Sequence, residues 1–229
     1  MSYSLVTANR NYSSWSLRPW LLMRALGIDF VDRVEPFGTA YNHTAFRAFS
    51  PTGQVPVLID GDRVIWDSLG ITLYLAERHD GVWPADEAAR AWAMSAVAEM
   101  HGGFAALRNE RTMNVGVRVA ALPGSSALER DVARIAELWT EGLERFGGPW
   151  LGGPTVTAVD AFYAPVAYRI RTYAIDVGSA GQQWVDRILA HPAAQEWEAQ
   201  ALAETWREAE HEAELAACGA IVTDYRSIA

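Results

Sequence analysis

The stretch Asn11-Tyr12-Ser13-Ser14-Trp15-Ser16-Leu17-Arg18-Pro19 places several hydroxyls just ahead of an apolar helical run. Free N–H groups and the positive end of a helix dipole make such a junction a resting place for an anion. A hydroxyl aimed the same way can donate to a thiolate. Pro19 suits a first helical turn, which needs no internal donor at that position. Two readings of the serines fit: they cap the helix, or they donate to a bound sulfur, and one serine can do both.

Two further motifs carry potential chemistry. Gly53-Gln54-Val55-Pro56 stands where a strand begins. A turn accounts for it, whereas a cis bond at Pro56 would let Val55 offer its N–H and C=O to an extended peptide ligand, as an added strand does. Trp66-Asp67-Ser68-Leu69-Gly70-Ile71 opens a helical pattern. A plain N-cap explains Asp67 or Ser68. Alternatively the helix end and Ser68 bind a carboxylate while Asp67 pairs with an ammonium, the two charges of an amino-acid head.

Secondary structure must bring these motifs together. Tyr3 to Ala8 alternates like a strand, Leu17 to Leu26 reads as a helix stopped by Gly27, and Ile28 to Val34 reads as a second strand, giving βαβ. Val55 to Asp60 and Arg63 to Trp66 flank Asp60-Gly61, a hairpin signal, and Asp67 to Arg78 is helical, giving ββα. Beyond Asp80 to Asp86 strand signals largely vanish. Helices are expected over Glu87 to Arg111, Ala127 to Phe146, Thr157 to Tyr173, Gln182 to Ala190 and Pro192 to Leu215. The expectation is therefore an α/β domain over residues 1–80 followed by an all-helical domain over 87–229.

Composition narrows the function. The chain has 229 residues, half of them hydrophobic, and a net charge of -9, which disfavours nucleic acid and anionic membranes and points to a small molecule. Every basic residue apart from the histidines is arginine, so Schiff-base and Walker-lysine chemistry are excluded. The single cysteine, Cys218, cannot form an internal disulfide, and Met1 to Arg10 lacks the character of a signal peptide; a soluble cytoplasmic protein is expected. The five histidines, His43, His79, His101, His191 and His211, show no metal-ligand spacing, so no metal is expected. Most of the ten tryptophans are expected to fill cores.

The loop serines, Gln54-Val55-Pro56 and Asp67-Ser68, in this order and followed by helices, resemble the glutathione S-transferase superfamily, serine type, over nearly the whole chain. The resemblance implies a thioredoxin-like N-terminal domain, an all-helical C-terminal domain, a homodimer, and glutathione conjugation of the detoxification type. In that family the thiol-contacting residue stands just ahead of an arginine that starts the first helix, and Ser13 with Arg18 matches; Ser14 competes, and Tyr12 stays open. By the same resemblance Gln54 contacts the glycine end of glutathione, Val55 its cysteinyl backbone, and Asp67 with Ser68 its γ-glutamyl head. Glutathione is the implied cosubstrate, with a small electrophile as second partner. The absence of a cysteine from the loop argues against disulfide-reductase chemistry.

Glu99-Met100-His101-Gly102-Gly103-Phe104 with Leu107-Arg108-Asn109, and the serine pair, are similar to the zeta class, which implies glutathione-dependent isomerisation as an alternative. Trp15 stands where that pattern has cysteine, Pro19 replaces an apolar residue, and Arg108 replaces glutamine. Phe104, Arg108 and Arg111 recur at helical spacing. They either line an electrophile pocket together with Tyr12, favouring an acidic or carbonyl-bearing substrate, or form a core phenylalanine with solvated arginines. Thr157-Ala158-Val159-Asp160 resembles the family's structural capping motif, in which the threonine and aspartate cap one helix reciprocally.

Overall fold

The computed structural model describes residues 3–38 and 43–227. Met1 and Ser2, part of the stretch read as carrying no signal peptide, lie outside these residues. Strand β1 (Tyr3–Thr7) runs parallel to β2 (Phe30–Val34) and antiparallel to β3 (Val57–Asp60), which pairs with β4 (Arg63–Trp66) in the order β2-β1-β3-β4. The turn between β3 and β4 holds Gly61 at φ +62, a conformation that favours glycine. Helix α1 (Ser14–Ala25) joins β1 to β2, α2 (His43–Phe46) precedes β3, and α3 (Ser68–Ala76) follows β4.

Helix α1 is buried almost all round. Leu17, Trp20, Leu21, Leu22 and Met23 have no exposed surface, because α1 packs against α3 on one side and against α7 (Ala158–Tyr173) and α9 (Pro192–Ala203) on the other. Each such side chain contributes about 1.5–3 kcal/mol on leaving water, so the sheet and the helices share one continuous core. The helix starts three residues earlier than its apolar pattern suggested, since Ser13 takes the capping position. Pro19 therefore lies inside α1 and not in its first turn, and it has no N–H to give the carbonyl of Trp15. Gly27, at φ +65, ends the helix as expected.

From Glu87 onward the chain is mainly helical, though not all-helical as expected: α4 (Glu87–Gly102), α5 (Ala105–Glu110), α6 (Ser126–Arg145), α7, α8 (Gly178–Ala190), α9 and α10 (Ala209–Cys218). Two expected long helices are each broken in two. The first breaks where Gly103 is extended and Phe104 left-handed; the second breaks at the residues between Ala203 and Ala209. One element was not anticipated: β5 (Val117–Ala121) and β6 (Gly219–Asp224) form an antiparallel ribbon. Four tryptophans, Trp20, Trp139, Trp184 and Trp197, are fully buried. The whole is a thioredoxin-like α/β layer followed by a helical part.

Helix α7 is the central post, with nearly every residue buried. Asp160, without exposed surface, accepts the N–H of Thr157 at 3.0 Å on Oδ2, and on Oδ1 the N–H of Leu151 and the indole N–H of Trp184, both at 3.0 Å. This is the aspartate half of the expected cap, extended to bind two further segments.

Candidate functional site

A cavity of about 740 Å³ opens between the α/β layer and the helices. Its walls include Tyr12, Ser13 and Ser14 from the β1–α1 loop and the start of α1, Gln54, Val55 and Pro56 ahead of β3, Asp67 and Ser68 at the start of α3, and Arg108 from α5. Three motifs separated by tens of residues thus meet in one cleft.

At the α1 end, Ser13 and Ser14 are both buried, and the side chain of the capping serine accepts no helix amide. Ser13 Oγ donates to Ser16 Oγ at 2.7 Å. The Tyr12 hydroxyl donates to Glu212 at 2.6 Å. Burial, with that acidic neighbour, pushes the phenol pKa upward, so Tyr12 stays protonated with its hydrogen committed. Its ring stacks on His211, 4.9 Å between centroids, and Phe37 stacks on His211 at 5.0 Å.

Gln54 is fixed through its main chain: Ser50 Oγ accepts its N–H at 3.1 Å and donates to its carbonyl at 2.6 Å, leaving the side chain exposed. The Val55-Pro56 peptide is cis, and Val55 precedes the β3 ladder, which begins at Val57. Asp67 takes φ +69, and its Oδ1 accepts the amides of Leu69 at 2.7 Å and Gly70 at 3.3 Å, so it does cap α3. Its Oδ2 lies 3.5 Å from His101 Nε2. Burial lowers the His101 pKa.

Opposite stands a cationic wall. Arg108 directs Nη2 at the carbonyls of Met100, His101 and Gly103, and Arg169 gives Nε to the Arg111 carbonyl at 2.8 Å. Behind the cleft, Arg18 reaches Ser68 Oγ at 3.5 Å and lies 4.1 Å from the centre of the Trp15 ring. Burial, and then repulsion from Arg108 and Arg169, brings Arg18 down to about 9; burial brings Arg169 down to about 10. Arg108 and Arg169 line the cleft together with the carboxylates of Asp67 and Glu214.

Two residues expected at this pocket lie elsewhere. Helix α5 covers only Ala105–Glu110, so Phe104 and Arg111 flank it as caps and the three-residue face with Arg108 does not form. Phe104 packs edge-on to Tyr163 in the core. Arg111 donates to the carbonyls of Glu110 and Leu122 and borders a separate cavity of about 820 Å³. Conversely, Trp66, Thr112, Arg169 and His211 line the cleft without having been singled out for it. Arg169 follows a mostly apolar stretch of α7, and a charge at that place was the available signal. Among the described residues no group of three or more histidine, cysteine or acidic side chains is arranged to hold a metal. Likewise, no helix among them is long and apolar enough to cross a membrane.

Comparison with known proteins agrees with this geometry. The family model described as glutathione S-transferase, N-terminal domain, matches residues 12–78, and that described as glutathione S-transferase, C-terminal domain, matches residues 119–200. A dichloromethane dehalogenase of Methylophilus leisingeri is 44% identical over 55 residues; the match spans 23% of this chain and only 21% of the dehalogenase. A zeta-class glutathione S-transferase of Euphorbia esula is 28% identical over 123 residues, 52% of this chain and 55% of that protein. Among solved structures, a glutathione transferase homologue from Burkholderia with bound glutathione superposes with a TM-score of 0.66 at 19% identity, covering 88% of this chain and 98% of the other. With one model over the α/β layer and the other over most of the helical part, in the order the fold requires, the chain belongs to the glutathione S-transferase family.

Proposed function

We propose that this protein is a glutathione transferase that activates the glutathione thiol as a thiolate for attack on a small electrophile. The observation that carries the reading is the single cleft lined together by Ser13 and Ser14, by Gln54, Val55 and Pro56, and by Asp67 and Ser68. Glutathione lies extended along Val55, its glycine end toward Gln54 and its γ-glutamyl head at Asp67 and Ser68. The sulfur then meets the open N-terminus of α1. Dipole and hydroxyl donation there lower a thiol pKa of about 8.5 by one unit or more, giving mainly thiolate at neutral pH. The thiol proton leaves to solvent. The thiolate forms a C–S bond with the electrophilic carbon while the leaving group departs with its electron pair.

Among the described residues the Ser14 side chain has no hydrogen-bond partner, whereas Ser13 must turn from Ser16 to reach the sulfur. Arg108 and Arg169 favour an electrophile that is acidic or bears a carbonyl. The dehalogenase match supports a halide-bearing carbon as the test substrate. The reading keeps a cytoplasmic homodimer that uses glutathione as cosubstrate and requires no metal. Exposed Trp66, Leu73 and Met94 support the pairing of two copies.

Conjugation of glutathione to an aryl halide is the test. Activity lost in Ser13→Ala and Ser14→Ala variants that still bind immobilised glutathione supports the assignment. Binding without turnover in the unaltered protein selects a non-catalytic glutathione-binding module instead. The zeta-class similarity favours a second reading, isomerisation that returns glutathione, and assay of glutathione consumption separates the two.

A further inference from the structure

The loop that carries the candidate serines is held from the far end of the chain. Glu204, just past α9, turns its carboxylate back onto this loop: Oε1 accepts the N–H of Arg10 at 2.6 Å, and Oε2 accepts the N–H of Asn11 at 3.4 Å and its side-chain amide at 3.3 Å. The same Asn11 amide donates to the Ala201 carbonyl at 2.6 Å. From α9, the indole of Trp197 donates to the Arg10 carbonyl at 2.9 Å and its ring receives the Arg10 guanidinium at 4.4 Å. Asn11 Oδ1 accepts the N–H of Gly116 at 3.1 Å, and the loop then closes on itself as Ser13 N–H meets the Asn9 carbonyl at 2.9 Å.

Such a carboxylate is costly to hold. Glu204 is 9% exposed, and burial raises its pKa against the pull of the Arg10 and Asn11 amides and the Arg10 charge. Its bonds go to the backbone two and three residues ahead of Ser13. A carboxylate in this place fixes a main-chain path, and that path sets where the serine hydroxyls and the first free amides of α1 stand. Displacements of a few tenths of an ångström matter to a group that must reach a sulfur within hydrogen-bond distance.

We infer that Glu204, seconded by Trp197, is a positioning residue for the thiol-binding end of α1, so that the C-terminal segment takes part in activating glutathione without touching it. The inference rests on the proposed function, in which Ser13 or Ser14 meets the sulfur.

The test compares the unaltered protein with Glu204→Gln and Trp197→Phe, following the ultraviolet absorbance of bound glutathione thiolate across a pH series alongside kcat and KM. Glutamine keeps one acceptor and turns an amide toward the Asn11 donors. The expected result is a bound-thiol pKa higher by about one unit and kcat lower by about tenfold at neutral pH, with KM for glutathione within about twofold because Gln54 and Asp67 are untouched. Trp197→Phe should shift the same quantities in the same direction by less. A Glu204→Gln protein of lowered melting temperature but unchanged bound-thiol pKa overturns the inference, since Glu204 then serves stability alone. Should that variant not fold, Trp197→Phe decides: a bound thiol titrating as in the unaltered protein counts against the latch. If the unaltered protein itself leaves the thiol at the free value, the proposed function fails and the latch with it. That outcome differs from failure of the latch alone, in which protein and variant lower the pKa equally.

Discussion

Two helix N-termini in this molecule are finished in opposite ways. At α7, the fully buried carboxylate of Asp160 closes the end, taking Thr157, Leu151 and Trp184 as donors. At α1, Ser13 stands in the capping position yet its hydroxyl caps no helix amide, donating to Ser16 Oγ instead, and the end faces the cleft. A helix leaves its first N–H groups without internal partners. Where the end is packed into the core, as at α7 with the Ala158 N–H on the Val82 carbonyl, it is architecture, and where it faces a cavity beside hydroxyls it can receive an anion. The start of α3 is intermediate, because one oxygen of Asp67 caps two amides while the other faces His101.

The sharpest way to break this contrast is to unseal the sealed end. Asp160→Ala strands three buried donors, and at about 1–3 kcal/mol for each orphaned group a loss of at least about 3 kcal/mol is expected in urea denaturation. A loss under about 1 kcal/mol would show that α7 does not depend on its cap. At α1 the balance reverses: replacing Ser13 and Ser14 together by alanine should lower conjugation by about 100-fold while stability moves by less than about 1 kcal/mol, because no capping bond is lost. Equal damage to folding and activity would erase the distinction.

A smaller effect lies in pH. Burial raises Asp160 from 3.8 to about 6, outweighing its three donors. The folded state then holds that proton more tightly than the unfolded chain does. Its contribution is fully present below about 3.8 and is lost as pH rises through about 6. Stability measured against Asp160→Asn should shift against the unaltered protein across that window, by on the order of 2 kcal/mol. A difference that is flat with pH contradicts this. Smallest is the mixed end at α3. Asp67→Ala should cost about 0.5–2 kcal/mol of stability and raise KM for glutathione about tenfold, whereas Asp67→Asn should keep the cap, tolerate φ +69 and show the KM effect alone. Equal KM in the unaltered protein and Asp67→Asn would remove the charge of Asp67 from ligand binding.

Much of this was legible in the residues because caps, turns and periodicity act over a few positions. Asp60-Gly61 marks its hairpin, Gly27 its helix end, and Asp160 its cap three residues after Thr157. The breaks at Gly103 and after Ala203 were hidden because apolar spacing continues across them. The β5–β6 ribbon joins segments about a hundred residues apart, so no short connecting turn marks their pairing. Phe104 and Arg111 were drawn to the site by a period that the backbone does not follow.

The sequence by itself determined the βαβ and ββα order, most of the helical stretches that follow, and which three motifs belong together. Tertiary structure alone decided that α1 begins at Ser14, that Arg169 completes the cationic wall, and that Glu204 grips the loop at Arg10 and Asn11. The physical reason is one of range. Dihedral preference and capping are settled between near neighbours, whereas a cavity wall or a buried carboxylate exists only after distant elements have docked and water has been excluded from between them.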